Sequence, residues 1–283
     1  MPAVTPAPER DLTHPSHWTG GIGVPFPKQA WKLEDGALTT SGISFRSLYS
    51  KEPFEHFDLS FEWKIAPGAN TGVKYLCAPG MLDPDWQASV QNAPYLIGGL
   101  LLFAAFVPAV AWLRLRRTWV RWALSVLGFL ALLGGLASAY LLYQARSRIA
   151  LTPPGFEYQI IDDNNYRVRL RPEQKTGSLY DLLAAPPTPE PIAGRWHQSR
   201  IVVAAEGVEH WLDGERVLTF RMGSDQLAGA VAKSKFRRVE GFANPRRGHL
   251  QLQAHDGQVW FRNIRIREIN SAESVPPPSP ATP

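Results

Sequence analysis

Residues 57–65 read Phe57-Asp58-Leu59-Ser60-Phe61-Glu62-Trp63-Lys64-Ile65. Apolar and polar side chains alternate without a break, the period of a strand with one face buried and the other in water. Phe57, Leu59, Phe61, Trp63 and Ile65 share the apolar face, and Asp58, Ser60, Glu62 and Lys64 share the polar one. Working outward, shorter strand segments follow at 155–161, 200–205, 208–212, 215–220, 249–255 and 258–268, with almost no helical period between them. Asp213-Gly214 separates two of these segments and suits a two-residue hairpin turn, whose central residues both need positive φ. A short helix is predicted over Leu227–Val231, within a loop excursion from 221 to 247. The flanks therefore read as all-β.

Two apolar runs interrupt them. Residues 95–113 (YLIGGLLLFAAFVPAVAWL) and 122–143 (WALSVLGFLALLGGLASAYLLY) carry no charge. As helices they would cover roughly 28 and 33 Å, against a hydrocarbon thickness of about 30 Å. Between them, residues 114–121 hold Arg114, Arg116, Arg117 and Arg121. Such a basic short loop stays on the cytoplasmic side, so both flanks are expected outside a bacterial inner membrane, with the two runs as a transmembrane hairpin. The N-terminus, MPAVTPAPERDL, shows no basic-then-apolar leader. The first span would then have to export what precedes it, or the true start lies upstream. Neither flank has strands enough for a two-sheet sandwich, so the economical organisation is one β domain with the hairpin inserted in a loop. Residues 1–12 and 271–283 are expected to be disordered; 13–76 and 155–270 form the two parts of the sandwich; 77–154 hold the insertion, with helices at about 95–113 and 122–143.

Composition excludes several classes. The net charge of +5 gathers in two clusters, 114–121 and 233–247, and gives no broad nucleic-acid footprint. Cys77 is the single cysteine, so neither an internal disulfide nor a cysteine zinc site is available. No phosphate loop, nucleophile elbow, zinc helix or dinucleotide fingerprint occurs. Ten tryptophans supply core and sheet-surface aromatics, or platforms for sugars.

Several blocks, in order, resemble one known family. Residues 57–64 and 68–75 are similar to its "FeLxxEWK…GgNSGIkY", residues 155–163 (GFEYQIIDD) to "GxEYQILDD", and 176–181 (TGSLYD) to "tGALYD". Residues 208–214 (VEHWLDG) are similar to "VeHWLNG", 232–236 (AKSKF) to "AkSKF", and 248–268 to "GHIaLQdHGdxVwFRNIkIRE". The chain thus resembles the 3-keto-disaccharide hydrolase family, departing from it mildly at Thr71 and Asp213 and strongly in the inserted apolar runs. The resemblance implies a concanavalin A-like jelly-roll β-sandwich, here interrupted by a transmembrane hairpin. It also implies cleavage of glycosidic bonds in sugars oxidised to a ketone at carbon 3.

Such a ketone acidifies the proton on carbon 2, so a base can remove it and the enolate can expel the anomeric substituent. The chemistry needs a base, donors for the enolate oxygen and an acid for the leaving oxygen, but not the carboxylate pair of ordinary glycosidases. Strand parity sets Glu157 with Gln159, Gln251 with Gln253 and His255, and Glu62 with Lys64. If those strands are neighbours, the polar groups form one cluster. Glu157 or His255 is the expected base, with Lys235 and Gln159 as ligands of the enolate or of hydroxyls. Glu62, Lys64, Asn70, Tyr180 and Gln253 are further substrate-binding candidates. His210 reads as a surface histidine on its strand. No cofactor is required, although Asp162, Asp163 and Asn164 make an oxygen-rich turn that would suit a divalent cation. The competing functions are a membrane-tethered carbohydrate-binding module without catalysis and a structural envelope protein.

Overall fold

The computed structural model describes residues 7–21, 24–40, 46–78, 97–106, 108–110, 112, 117–150, 154–186, 191–205 and 207–270. The chain divides into a unit of residues 1–81 and 151–283 and a second of residues 82–150, so both flanks close into one body. Its strands are β1 (Arg10–Asp11), β2 (Trp18–Thr19), β3 (Trp31–Glu34), β4 (Ala37–Thr40), β5 (Leu48–Phe54), β6 (Phe57–Ile65), β7 (Asn70–Cys77), β8 (Phe156–Ile161), β9 (His197–Val203), β10 (Val208–Leu212), β11 (Glu215–Phe220), β12 (Gly248–Leu252) and β13 (Val259–Glu268). An eight-stranded antiparallel sheet runs β11-β10-β9-β6-β13-β4-β3, with β1 on the edge of β13; a five-stranded sheet runs β2-β5-β12-β7-β8.

The alternation in β6 is realised as read, its five apolar residues buried and its four polar ones half-buried. These meet Val73, Tyr75, Phe156, Tyr158 and Ile160 from the other sheet in one core. Fully burying side chains of this size contributes about 1.5–3 kcal/mol each. Asp213 and Gly214 (φ 46 and 88) make the predicted hairpin turn, and Asp35-Gly36 (φ 50 and 74) makes another. The predicted helix is longer than expected, α3 spanning Asp225–Lys233 behind a Ser224 cap.

Two readings are corrected. Residues 10–12 are ordered: Arg10 and Asp11 pair with Ile266 and Arg265 of β13, and Leu12 is buried. Pro- and Ala-rich composition does not report the free edge of β13 that this short segment covers. His210 is not on the surface but wholly buried between the sheets. Its Nδ1 donates to the Gly177 carbonyl (2.9 Å) and its Nε2 accepts from the Tyr75 hydroxyl (2.9 Å). Burial pushes its pKa down to about 4, against a weaker upward pull from the Gly177 bond. A polar residue at an inward position reads as a surface residue until its buried partners are known.

In the second unit, α1 (Ile97–Val110) is shorter than the expected span, and α2 (Thr118–Ala150) starts earlier and ends later. Arg121 therefore lies in the first turn of α2, while residues 114–116 of the Arg-rich segment lie outside the described ones, as do 271–283. Among the described residues one helix, Thr118–Tyr140, with mean hydropathy 1.8, is long and apolar enough to cross a membrane. The two helices pack antiparallel where α2 has no side chain. Gly128 lies against Pro108 and Ala104, Gly135 against Leu101, and the Trp112 indole donates to Ser125 Oγ (3.1 Å).

Candidate active site

The polar residues of the motif blocks gather on the outer face of the five-stranded sheet. In β8, Phe156, Tyr158 and Ile160 point into the core, which turns Glu157 and Gln159 outward. Register then sets a row across four strands: Tyr49 of β5 opposes Gln251 of β12, Gln251 opposes Lys74 of β7, and Lys74 opposes Glu157. In the next row Gly72 opposes Gln159, and the Gln253 backbone N–H donates to the Gly72 carbonyl (2.9 Å). At the far end Asn70 opposes Ile161 and bridges to Asp256, the neighbour of His255.

Glu157 is 5% exposed and pairs with Lys74 at 3.4 Å. It lies over Gly72, where an added Cβ would come within 2.6 Å of its Oε1, so the glycine is there for the carboxylate. Beyond β8 the chain from 176 to 180 bonds to its free edge, the Tyr180 N–H donating to the Glu157 carbonyl (3.0 Å). Lys235 Nζ sits 5.3 Å from the centre of the Tyr180 ring, and the Lys235 backbone N–H donates to Asp181 Oδ2 (3.0 Å). Asp181 also takes Arg171, so it fastens the Ser234-Lys235-Phe236 turn beside the Glu157 end. The Tyr180 hydroxyl is held above its ordinary pKa by burial, opposed by Lys235 and reinforced by Glu157 and Asp181.

The other end is a hydrogen-bonded chain. Gln159 Nε2 donates to Asn70 Oδ1 (3.4 Å), and Asn70 Nδ2 to the Tyr166 hydroxyl (3.4 Å). Tyr166 donates to Asp256 Oδ2 (2.7 Å), which also lies 3.1 Å from His255 Nδ1 and 3.1 Å from Arg167 Nη2. Burial raises the Asp256 carboxyl, but Tyr166, His255 and Arg167 outweigh it and hold the group below the usual range. Two amide oxygens on this face, Gln159 Oε1 and Gln251 Oε1, are buried without a hydrogen-bond partner. A buried, unsatisfied acceptor costs about 1–3 kcal/mol.

The structure thus brings together Glu157, Gln159, Gln253, Asn70, Tyr180, Lys235 and His255 at one sheet face. It does not bring Glu62 and Lys64 there. Both lie on the outer face of the eight-stranded sheet, across the core, where Glu62 binds Arg262 (2.7 Å) and Asn263 (2.6 Å) and Lys64 stacks over Trp196 and Trp260. Parity fixes the side of a strand, not the sheet to which the strand belongs. Sequence reasoning missed Lys74, Tyr166, Asp256 and Tyr49; for Lys74, its place two residues after Gly72 on the same strand face was the available signal. The oxygen-rich turn is folded by protein donors. Asp162 accepts from the backbone of Gly68, Asn164 and Asn165 and from the Asn165 amide, and no cluster of three or more His, Cys, Asp or Glu suited to a metal occurs among the described residues. A groove of about 120 Å³ beside β5 is lined by Arg10, His17 and Glu52 among others, but none of the motif residues reaches it.

The family model for the 3-keto-alpha-glucoside-1,2-lyase-like domain matches residues 9–94 and 134–267. The chain belongs to this family. The match spans most of the chain and breaks only over 95–133, inside the helical unit. The resemblance read from the motif blocks is borne out, and with it membership of a family of glycoside-cleaving enzymes. A 3-keto-disaccharide hydrolase of Bacteroides thetaiotaomicron is 22% identical over 272 residues, covering 88% of this chain and 74% of its own. Two solved structures of Parabacteroides distasonis proteins with provisional glycosyl hydrolase names share the fold. One has a TM-score of 0.60 at 21% identity, covering 90% of this chain and 89% of its own; the other has 0.55 at 20%, covering 93% and 100%. The break in the family match falls within the helical unit, which lies between β7 and β8 in the chain.

Proposed function

We propose that the outer face of the five-stranded sheet binds a glycoside whose sugar carries a ketone at carbon 3 and cleaves its glycosidic bond by elimination. The observation that carries this is the convergence of Glu157, Gln159, Asn70 and His255 on that face, with Gln159 Nε2 on Asn70 Oδ1 (3.4 Å) and Asn70 Nδ2 within 3.5 Å of His255 Nδ1. His255 takes the carbon-2 proton, since Glu157 is buried against Lys74 while the His255 side chain is about one-third exposed. The C–H electron pair passes to the carbon-3 oxygen as an enolate, for which Lys235 supplies positive charge. Collapse of the enolate breaks the bond from carbon 1 to the leaving oxygen, which takes a proton from the Glu157–Lys74 pair. Water adding across the resulting double bond completes a hydrolysis.

The finer reading also places the protein at a bacterial inner membrane, anchored by α2 with α1 beside it, the arginines ahead of α2 cytoplasmic and the β-sandwich outside. Support comes from the apolar length of Thr118–Tyr140 and the basic residues Arg117 and Arg121 at its start. Resistance of the membrane-bound protein to alkaline extraction, with a sandwich open to protease in spheroplasts, is the expected result; release into the soluble fraction would refute the anchor. For the chemistry, purified protein in detergent should consume a 3-keto-glucoside such as 3-ketotrehalose, and His255→Gln should lower kcat by about 10³-fold. An inactive wild type across such sugars would overturn the reading.

A further inference from the structure

His255 and Asp256 stand side by side in the chain and in space, and the contact between them constrains where the imidazole proton sits. Two groups face His255 Nδ1, the Asp256 carboxylate (Oδ2 at 3.1 Å) and the Asn70 amide (Nδ2 at 3.5 Å); the carboxylate is the nearer and can only accept, which favours the hydrogen on Nδ1. The lone pair is then on Nε2. Asp256 is itself fixed: its backbone N–H donates to the Asn70 carbonyl (3.0 Å), and its carbonyl accepts from the Asn70 N–H (2.9 Å). The next residue, Gly257, is at φ 75 and packs so closely on Ala69 that a Cβ would come within 2.7 Å of the alanine's own. Tyr166 and Arg167 reach the same Oδ2 from the turn after β8. The family pattern quoted above has glycine at position 256 and its acidic residue one place later; this chain has the two exchanged.

We propose that Asp256 is a positioning residue that fixes the Nδ1–H tautomer of His255, so that Nε2 is the atom that accepts the carbon-2 proton. The Tyr166 hydroxyl and the Arg167 guanidinium hold the carboxylate in line. When Nε2 takes the proton, the electron pair of the broken C–H bond moves to the carbon-3 oxygen, and the imidazolium left behind is balanced by Asp256 through the existing Nδ1 contact. A bare imidazole in water favours the opposite tautomer, with hydrogen on Nε2 and no lone pair there to act. This inference rests on His255 being the base proposed above.

The test uses the full chain in detergent with ¹⁵N-labelled histidine, the His255 signals being those lost in His255→Gln. Wild type should show a protonated Nδ1 and an unprotonated Nε2 near pH 8. Asp256→Ala should shift His255 toward the Nε2–H form and lower kcat by about 10²-fold with KM within about twofold. Asp256→Asn, whose amide oxygen can still accept from Nδ1 but carries no charge to balance the imidazolium, should keep the wild-type tautomer and lose less kcat than Asp256→Ala. An Nε2–H tautomer in wild type, or Asp256→Ala leaving tautomer and kcat unchanged, overturns the proposal. Should Asp256→Ala not fold, an Asp256→Asn protein with the Nε2–H tautomer overturns it equally. The tautomer is read without substrate, so an inactive wild type would sink the elimination and still leave the pairing decided.

Discussion

The sandwich has two polar outer faces, and they differ in which groups they set side by side. On the eight-stranded sheet the carboxylates are matched across strands: Asp58 takes Arg200 in a two-pronged pair (2.7 and 2.9 Å), Glu62 takes Arg262 and Asn263, and Glu209 takes Arg216. Lys64 and Arg262 lie over Trp196. On the five-stranded sheet the amide oxygens of Gln159 and Gln251 are buried with nothing to accept from, beside a carboxylate pressed onto a glycine. The alternation along the strands is the same on both faces, so polarity does not distinguish a site from a surface. What separates the faces is the company of the polar groups: only on the five-stranded sheet do Glu157, Lys74, Gln159, Asn70 and His255 lie side by side.

The contrast can be broken most forcefully at the two glutamates. Glu157→Gln should lower kcat/KM by about 10²-fold or more and, by removing the carboxylate charge that faces the buried Lys74 ammonium, destabilise the protein by about 3 kcal/mol. Glu62→Gln should leave kcat/KM on a 3-keto-glucoside within about twofold. Equal losses from both would show that the faces do not differ as argued. Behind the two faces, His210 gives a pH test of the interior that joins them. Below pH 6.5 an unfolded chain protonates this histidine, while the folded protein keeps it neutral down to about pH 4. Its contribution to stability is therefore intact above pH 6.5 and is lost as the pH falls through that window, by roughly 3 kcal/mol. Denaturant midpoints measured from pH 7 to pH 4 should show this slope, and His210→Gln should flatten it.

A smaller effect sharpens the claim about Gln159. Gln159→Met should raise KM by about tenfold and lower stability by only about 0.5–1.5 kcal/mol, the worth of the lost bond from Nε2 to Asn70 Oδ1. A large fall in stability with unchanged KM would mark Gln159 as a structural residue. Least of all should follow from Lys64→Met on the opposite face, about 0.5–1 kcal/mol from the lost contacts with Trp196 and Trp260, with no change in turnover.

Much of this was legible in local sequence. The strand period of 57–65, the hairpin at Asp213-Gly214 and the order of the motif blocks all report interactions between near neighbours, and each reappears in the fold. The grouping of Glu157 with Gln159 and of Gln251 with Gln253 and His255 also followed from parity alone. What parity could not supply was the sheet: Glu62 and Lys64 have the same alternation as Glu157 and lie on the far side of the core. Nor could it supply Asp256, Tyr166 and Lys74, which matter because of which strands and turns lie beside them.

The amino-acid order by itself determined that the flanks form strands, that two apolar helices separate them, and which side chains must lie opposite the core. These are consequences of a period of two and of long uncharged runs, both local properties of the chain. Only the tertiary structure decided that β5, β12, β7 and β8 stand side by side, that His210 is interior, and that two glutamine oxygens remain unsatisfied. Strand order depends on contacts between residues as far apart in the chain as Arg10 and Ile266, and no local pattern encodes which distant edge a strand will meet.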